Sequence, residues 1–247
     1  MRHFLIVLAC ALSLATAAYA GTPSNGKRVV FIGDSITDGM WGCGGGFKSS
    51  SAERNHSDLN HIYGHGFMEM VASDTQSRYP KAGFVFFNRG ISGNKLPDLA
   101  ARWKEDALDL DPDVISVLVG VNDIGAYLRS GSQEPFNKEE WKNLYRDLLR
   151  QAREKNPSVK LVLCTPFVSR GGNVEYEKRA PIASELAGIV REVAKEFGAV
   201  LVPYDELFAK LIASEPSPNY WMWDGTHPTS AGHRRMADLW EKKVRLK

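Results

Sequence analysis

Short apolar segments alternate with longer stretches of helical character along the chain, and this alternation strongly limits the possible folds. Five such segments are predicted as strands, over residues 28–32, 84–87, 114–119, 161–164 and 200–202. Helices are predicted between and after them, over residues 66–78, 96–108, 138–155, 177–197 and 229–243. Strands that are apolar on successive residues are typical of parallel sheets covered on both faces. The order therefore predicts an α/β fold in which helices flank a five-stranded parallel sheet.

Four polar motifs follow the first, second, third and fifth predicted strands. They are Gly33-Asp34-Ser35-Ile36, Asn88-Arg89-Gly90, Gly120-Val121-Asn122-Asp123 and Asp224-Gly225-Thr226-His227-Pro228. Ligands of open parallel sheets bind beyond the carboxyl ends of the strands. We therefore expect the four motifs to meet at one edge of the sheet, although the first and last lie near opposite ends of the chain.

Ser35 is the candidate nucleophile. Gly33 permits a tight exit from the first strand, so that the Ser35 hydroxyl stands at the sheet edge. The backbone N–H groups of the following turn then face an oxyanion. The alternative is that Asp34 and Ser35 only cap a helix.

His227 is the candidate general base, and Asp224 lies three residues before it. An aspartate at that spacing can reach the far ring nitrogen, fix the tautomer and stabilise the imidazolium. The alternatives are a surface histidine beside a turn-capping aspartate, and a zinc site. Zinc requires further ligands, and the histidines available lie in or beside a loop: His56, His61 and His65. We predict no metal.

Gly90 and Asn122 are candidate oxyanion-hole residues, together with the backbone N–H of Ser35. A glycine lets the backbone approach a substrate closely, and an asparagine offers an amide donor. The alternative for Gly90 and Asn122 is an ordinary turn after a strand. Asp123 is predicted to be structural.

Residues 1–20 have the pattern of a secretory signal peptide. Arg2 and His3 precede an apolar run, and Ala18-Tyr19-Ala20 provides a small-x-small cleavage site. Membrane spans are longer than this run. A retained anchor and a lipid attachment at Cys10 are the alternatives. The pattern predicts a secreted or periplasmic protein, with no stable membrane insertion after cleavage and one domain over residues 21–247.

The remaining composition narrows the classes of partner. The 247 residues carry a formal net charge of +2, which gives no argument for nucleic acid or an anionic membrane surface as partner. Cys43 and Cys164 lie outside the signal, so an exported chain has either a disulfide between them or two buried thiols.

The motifs resemble the conserved blocks of the SGNH hydrolases, the GDSL family of esterases and lipases. The resemblance spans the chain from Ser35 to His227, with Ile36 where the family name implies leucine. It implies a flavodoxin-like three-layer αβα sandwich with no cofactor and no metal. It also implies a Ser35, His227 and Asp224 triad, with an oxyanion hole formed by Ser35, Gly90 and Asn122.

The substrate expectation is a short acyl ester, acetyl for preference, on a carbohydrate. The chain resembles the compact rhamnogalacturonan and xylan acetylesterases of the family more than its lipases. Residues near the motifs are candidates for substrate binding: Asp34, Trp41, Trp221 and Trp223. The alternatives are a lysophospholipase or thioesterase acting on longer chains, and a non-catalytic glycan-binding protein.

Overall fold

The five strands form one parallel sheet in the order β2-β1-β3-β4-β5. They are β1 (Arg28–Gly33), β2 (Val85–Gly90), β3 (Val114–Leu118), β4 (Lys160–Cys164) and β5 (Val200–Val202). The computed structural model describes residues 26–39, 64–170, 175–214 and 217–246. The predicted strands are confirmed to within three residues at each end.

The carboxyl ends of β2, β1 and β3 coincide. Gly33 of β1 pairs with Gly90 of β2 on one side and with Leu118 of β3 on the other. Chain connections leave β1 and β3 toward opposite sides of the sheet in this strand order, which creates a crevice where ligands of such folds bind. The first and third motifs therefore emerge on either side of this crevice.

Within the described residues, nine α-helices surround the sheet. They are α1 (Ser35–Asp38), α2 (Phe67–Arg78), α3 (Leu96–Ala101), α4 (Trp103–Asp106), α5 (Val121–Ser130), α6 (Lys138–Lys155), α7 (Tyr176–Glu196), α8 (Tyr204–Ser214) and α9 (Ser230–Val244). Alternate strand residues point to opposite faces. Val30 and Ile32 of β1 join a core with α3, α6 and α7, whereas Val29 and Phe31 join a core with α2, α8 and α9. The predicted three-layer α/β architecture is confirmed.

Three features of the helices differ from the sequence-based expectation. Helices α5 and α8 were not predicted, because the first begins inside a polar motif and the second is short and follows β5 directly. The helix predicted over residues 96–108 is broken at Arg102, where φ is −120° and ψ is 10°. A 3₁₀ turn at Leu108–Leu110 follows α4.

Cys164 is a buried free thiol near the Ser116 hydroxyl, with 3.8 Å between Sγ and Oγ. Burial raises its pKa to about 12. The structure therefore agrees with the free-thiol alternative at Cys164. The predicted signal peptide, Cys43, Trp41 and most of the loop after the first motif lie outside the described residues. In the described part of the chain, no helix is long and apolar enough to cross a membrane.

Candidate active site

Ser35 lies where the sequence predicts, at the carboxyl end of β1. It is the first residue of α1, a single turn that ends at Gly39 with φ of 55°. Asp34 caps this turn, because its Oδ1 accepts from the Ile36 N–H at 3.0 Å. The Ser35 side chain stays half-buried at the sheet edge. Both interpretations of the first motif therefore hold locally, since the capping turn is also what presents the serine.

His227 and Asp224 lie on a closed loop between Trp221 and Thr229. The loop is joined at its base by an antiparallel bridge between Met222 and Pro228. At its tip, Asp224 Oδ1 accepts from the backbone N–H groups of Thr226 at 2.9 Å and His227 at 2.7 Å. An aspartate bonding two residues ahead is a standard turn former. The same carboxylate that shapes the turn is thereby held against the imidazole.

Two hydrogen bonds connect Ser35, His227 and Asp224 in series. His227 Nε2 lies 2.8 Å from Ser35 Oγ, and His227 Nδ1 lies 2.6 Å from Asp224 Oδ2. Partial burial raises the pKa of Asp224, but the bonds from His227 and Thr226 lower it more, so that this pKa lies below its usual value. An ionised Asp224 favours the tautomer with the proton on Nδ1, which leaves Nε2 free to accept the serine proton. The arrangement can generate an alkoxide nucleophile.

The predicted oxyanion-hole residues differ in whether their N–H groups are free to bind a ligand. The Gly90 N–H already donates to Asn88 Oδ1 at 2.9 Å, so this geometry does not support the predicted oxyanion role of Gly90. One amide hydrogen of Asn122 donates to the Asn94 carbonyl at 3.2 Å, and its second remains for a ligand. The backbone N–H of Ser35 has no partner among the described residues.

Gly90 instead permits close packing between β2 and α1. A Cβ at Gly90 would lie 2.2 Å from the backbone nitrogen of Asp38. Gly93 lies three residues further on, in the exposed loop that also carries Asn94. Its φ of 84° belongs to the region that favours glycine, and nothing lies within 4 Å of an added Cβ.

Comparison with known proteins identifies the family. A profile of the GDSL-like Lipase/Acylhydrolase family matches residues 31–235, which is most of the chain. The chain belongs to this family. An acetylxylan esterase from Geobacillus stearothermophilus is 31% identical over 226 residues, which cover 89% of this chain and 94% of the relative.

Solved structures agree with this membership of the GDSL family. A protein described as a GDSL-like lipase from Parabacteroides merdae superposes with a TM-score of 0.79 at 33% identity, covering 91% of this chain and 99% of that chain. A catalytic mutant of the G. stearothermophilus acetylxylan esterase superposes with a TM-score of 0.74 at 28% identity, covering 89% and 94%. The predicted family is confirmed, and the chain is a serine ester hydrolase of the GDSL type.

Two carboxyl groups in the motifs of this GDSL hydrolase are buried, those of Asp34 and Asp123. Asp34 is 1% exposed, and its Oδ2 has no hydrogen-bond partner among the described residues. Burial raises the pKa of Asp34 to about 7; the Ile36 N–H opposes the rise, and the Asp123 charge adds to it. Burial also raises the pKa of Asp123, whose Oδ1 accepts from the Leu96 N–H at 3.0 Å. The substrate-binding role predicted for Asp34 stays a prediction, for a carboxyl group that lies under the surface.

Aromatic side chains border the histidine. Trp223 is 61% exposed and stacks on His227, with 5.7 Å between ring centroids and 19° between planes. Trp221 is half-buried and packs edge-to-face against Tyr220 at 4.8 Å. Of these, Trp223 has the geometry to offer an open ring face next to the reacting groups.

No group of three potential metal ligands occurs in the described part of the chain. His65 is described and exposed, whereas His56 and His61 lie outside the described residues. Asp224 is bonded to His227, and His227 is bonded to Ser35. Their contacts are those of a hydrogen-bonded series.

Proposed function

We propose that the protein is an exported carbohydrate acetylesterase that works through a covalent acyl-enzyme. Ser35 is the nucleophile and His227 is the general base. Asp224 orients the imidazole of His227 and stabilises its protonated form. The observation that carries this proposal is the pair of hydrogen bonds of 2.8 Å and 2.6 Å, the first of which joins Ser35 to His227, 192 positions further along the chain.

The reaction begins when Ser35 Oγ attacks the carbonyl carbon of the ester and its proton passes to His227 Nε2. The carbonyl oxygen becomes an oxyanion, for which donors are available on the Ser35 backbone and the Asn122 side chain. Gly93 is our third candidate donor, in place of Gly90, since its backbone stands exposed in the neighbouring loop. Each such donor typically contributes about 3 kcal/mol to transition-state stabilisation.

The tetrahedral intermediate then collapses as the bond to the sugar oxygen breaks, and His227 donates its proton to that oxygen, which leaves as a hydroxyl. Ser35 is left as an acetyl ester. A water molecule attacks this ester with His227 again as base, releasing acetate and restoring the serine. The ionised Asp224 stabilises the imidazolium in both halves of the reaction.

The relatives support the choice of residues and of substrate. Solved catalytic mutants of the G. stearothermophilus acetylxylan esterase replace a serine, a histidine or an aspartate by alanine, and that aspartate lies three positions before the histidine. Asp224 and His227 have the same spacing. The exposed ring of Trp223 beside His227 supports a sugar as the alcohol portion, because aromatic faces pack well on apolar ring surfaces. The signal-like pattern of residues 1–20 supports export toward extracellular or periplasmic glycans.

The first experiment compares hydrolysis of p-nitrophenyl acetate and p-nitrophenyl octanoate by protein beginning at Gly21. Ser35→Ala is expected to lower kcat by roughly 10⁶-fold. Ser73→Ala is the matched control, because Ser73 lies on the exposed side of α2 and bonds only its own helix at Met70. Acetate preference that disappears in Ser35→Ala supports the proposal. Octanoate preference points to the lysophospholipase or thioesterase alternative, and turnover that survives Ser35→Ala refutes the mechanism.

The sugar portion is tested separately with acetylated xylooligosaccharides. Trp223→Ala should raise KM several-fold on the oligosaccharide while leaving p-nitrophenyl acetate nearly unaffected. Tyr220→Ala is the control, since Tyr220 is similarly exposed at 57% but packs edge-to-face against Trp221 and not against His227. Equal effects of the two substitutions would argue against a sugar-stacking role for Trp223.

A further inference from the structure

Arg102 stands at the break between α3 and α4 and bonds four separate partners. Its Nε donates to Asn94 Oδ1 at 2.9 Å, and one terminal nitrogen donates to the Gly33 carbonyl at 3.2 Å. The other terminal nitrogen donates to the Arg89 carbonyl at 2.9 Å and to Asp106 Oδ2 at 2.7 Å. A guanidinium has five N–H groups in a fixed plane, and four of them are used here.

The partners of this guanidinium belong to the segments that carry the reacting groups. Gly33 ends β1 two residues before Ser35. Asn94 lies in the loop after β2, next to Gly93, and its backbone carbonyl accepts from the Asn122 side chain at 3.2 Å. A single planar group thus spans the nucleophile segment and the loop that holds Asn122.

A buried carboxylate and the burial of the side chain also hold the Arg102 guanidinium in place. Asp106 is fully buried and also lies 3.5 Å from the Nε of Arg89. The Arg102 side chain is only 13% exposed. The break in the helix matters for this arrangement, because the residues before Arg102 form α3 against the loop and those after it form α4, which carries Asp106. Rigid support of this kind is what keeps a preorganised site within the fraction of an ångström that catalysis requires.

We infer that Arg102 is a positioning residue for the reaction, one that fixes the Ser35 segment relative to the Asn122 amide through its contacts with Gly33 and Asn94. The inference rests on the proposed function, since it assigns Arg102 to the same oxyanion site. Arg102 acts on the transition state only through these neighbours, because its N–H groups point to protein acceptors.

Arg102→Lys tests this role most directly. Lysine keeps the positive charge beside the buried Asp106, but its single ammonium group cannot reproduce the planar set of contacts. We expect kcat for p-nitrophenyl acetate to fall about 10- to 100-fold, since misplacing a group by about 1 Å can cost 10²-fold. KM should change little, because the interaction that is lost acts in the transition state.

Arg153→Lys is the matched control. Arg153 donates to three backbone carbonyls, those of Pro157, Val159 and Phe197, whereas Arg102 donates to two. The Arg153 contacts lie at the opposite edge of the sheet, before β4 and β5 begin. Arg153→Lys should lower the melting temperature by about as much as Arg102→Lys does and should leave kcat at the wild-type value. A purely structural role for Arg102 would make the two variants alike.

Asn94→Ala provides a second test that does not disturb the buried charges. It removes the Arg102 Nε acceptor and keeps the backbone carbonyl that holds Asn122. We expect kcat to fall about 3- to 10-fold in the wild-type background and to change little when Arg102 is already lysine, because the two residues then act as one unit.

The outcomes separate this inference from the proposed function. Loss of kcat at constant KM in Arg102→Lys, with wild-type kcat in Arg153→Lys and non-additivity with Asn94→Ala, supports the inference. Wild-type kcat in Arg102→Lys, equal losses in the two arginine variants, or fully multiplicative effects with Asn94→Ala overturns it. Turnover that persists in Ser35→Ala instead refutes the proposed function itself.

Discussion

The carboxyl group of Asp34 should make the stability of the protein fall as pH rises toward neutrality. It is 1% exposed, and burial raises its pKa to about 7 from a model-compound value of 3.8. A raised pKa in the folded state means that the stability present below pH 4 is lost as pH rises through about 7. With 1.36 kcal/mol per pKa unit, the gap between the folded and unfolded pKa of Asp34 lowers the free energy of unfolding, relative to its value at low pH, by roughly 1.5 kcal/mol at pH 5 and roughly 4 kcal/mol at pH 8.

Asp34→Asn removes this ionisation and keeps an oxygen that can accept from the Ile36 N–H. The free energy of unfolding is measured by urea denaturation of both proteins at pH 5 and pH 8. The variant should gain about 2.5 kcal/mol relative to the wild type between the two pH values, whatever constant cost the new amide adds. An unchanged difference between the proteins at the two pH values would refute the reasoning.

Asp98→Asn serves as the control for this measurement. Although partial burial raises it, the Lys95 side chain and backbone N–H hold the pKa of Asp98 below its usual value. Asp98 is therefore ionised in both folded and unfolded protein across pH 5 to 8. The stability difference between Asp98→Asn and the wild type should be the same at both pH values.

Three further predictions follow from individual side chains. Asp224→Asn should lower kcat by about 10³- to 10⁴-fold with little change in melting temperature, because the amide favours the wrong imidazole tautomer; a loss below tenfold would contradict the assigned role. Burial and the His227 charge lower the pKa of His233 to about 4, so its contribution to stability is present above pH 6.5 and is lost as pH falls through 4. His233→Gln should therefore reduce the loss of unfolding free energy between pH 6.5 and pH 4. An unchanged midpoint of acid unfolding would contradict this prediction. In a Cys43→Ser protein beginning at Gly21, the Cys164 thiol should react with Ellman's reagent only after unfolding, because it is buried with a pKa of about 12; rapid labelling of the folded protein would contradict this.

Strand positions were accessible from sequence because both faces of this sheet are covered. A strand such as β3, Val114–Leu118, is apolar at almost every position, and Asp113 precedes it. Helix α6 was equally clear, since Asn137 caps it and an apolar stripe repeats along it. Helix α5 was missed because its first turn carries the polar pair Asn122 and Asp123, which local patterns assign to a turn. Tertiary contacts of Asp123 with Leu96 and Trp141 hold that turn in helical form.

Gly90 and Gly93 illustrate how one residue type can meet two different structural needs. A glycine marks a need for close approach or for positive φ, and sequence alone does not separate the two needs. Gly90 satisfies the first, under the backbone of Asp38, and Gly93 satisfies the second, with φ of 84°. The bond from the Gly90 N–H to Asn88 Oδ1 shows that this N–H group is already used within the fold.

Predictability within the site depends on how many chain segments a contact joins. The Asp224 and His227 pair is local, so the spacing of three residues predicts it. Ser35 and His227 are far apart, yet the rule that ligands bind beyond the carboxyl ends of parallel strands brings them to one edge. Arg102 has neither signal, since its acceptors come from β1, β2, a loop and α4, and no spacing in the sequence relates them. Residues that position a site without touching the substrate are therefore identified from the structure and not from sequence motifs. Kinetic tests of such residues measure a contribution to catalysis that motif analysis does not predict.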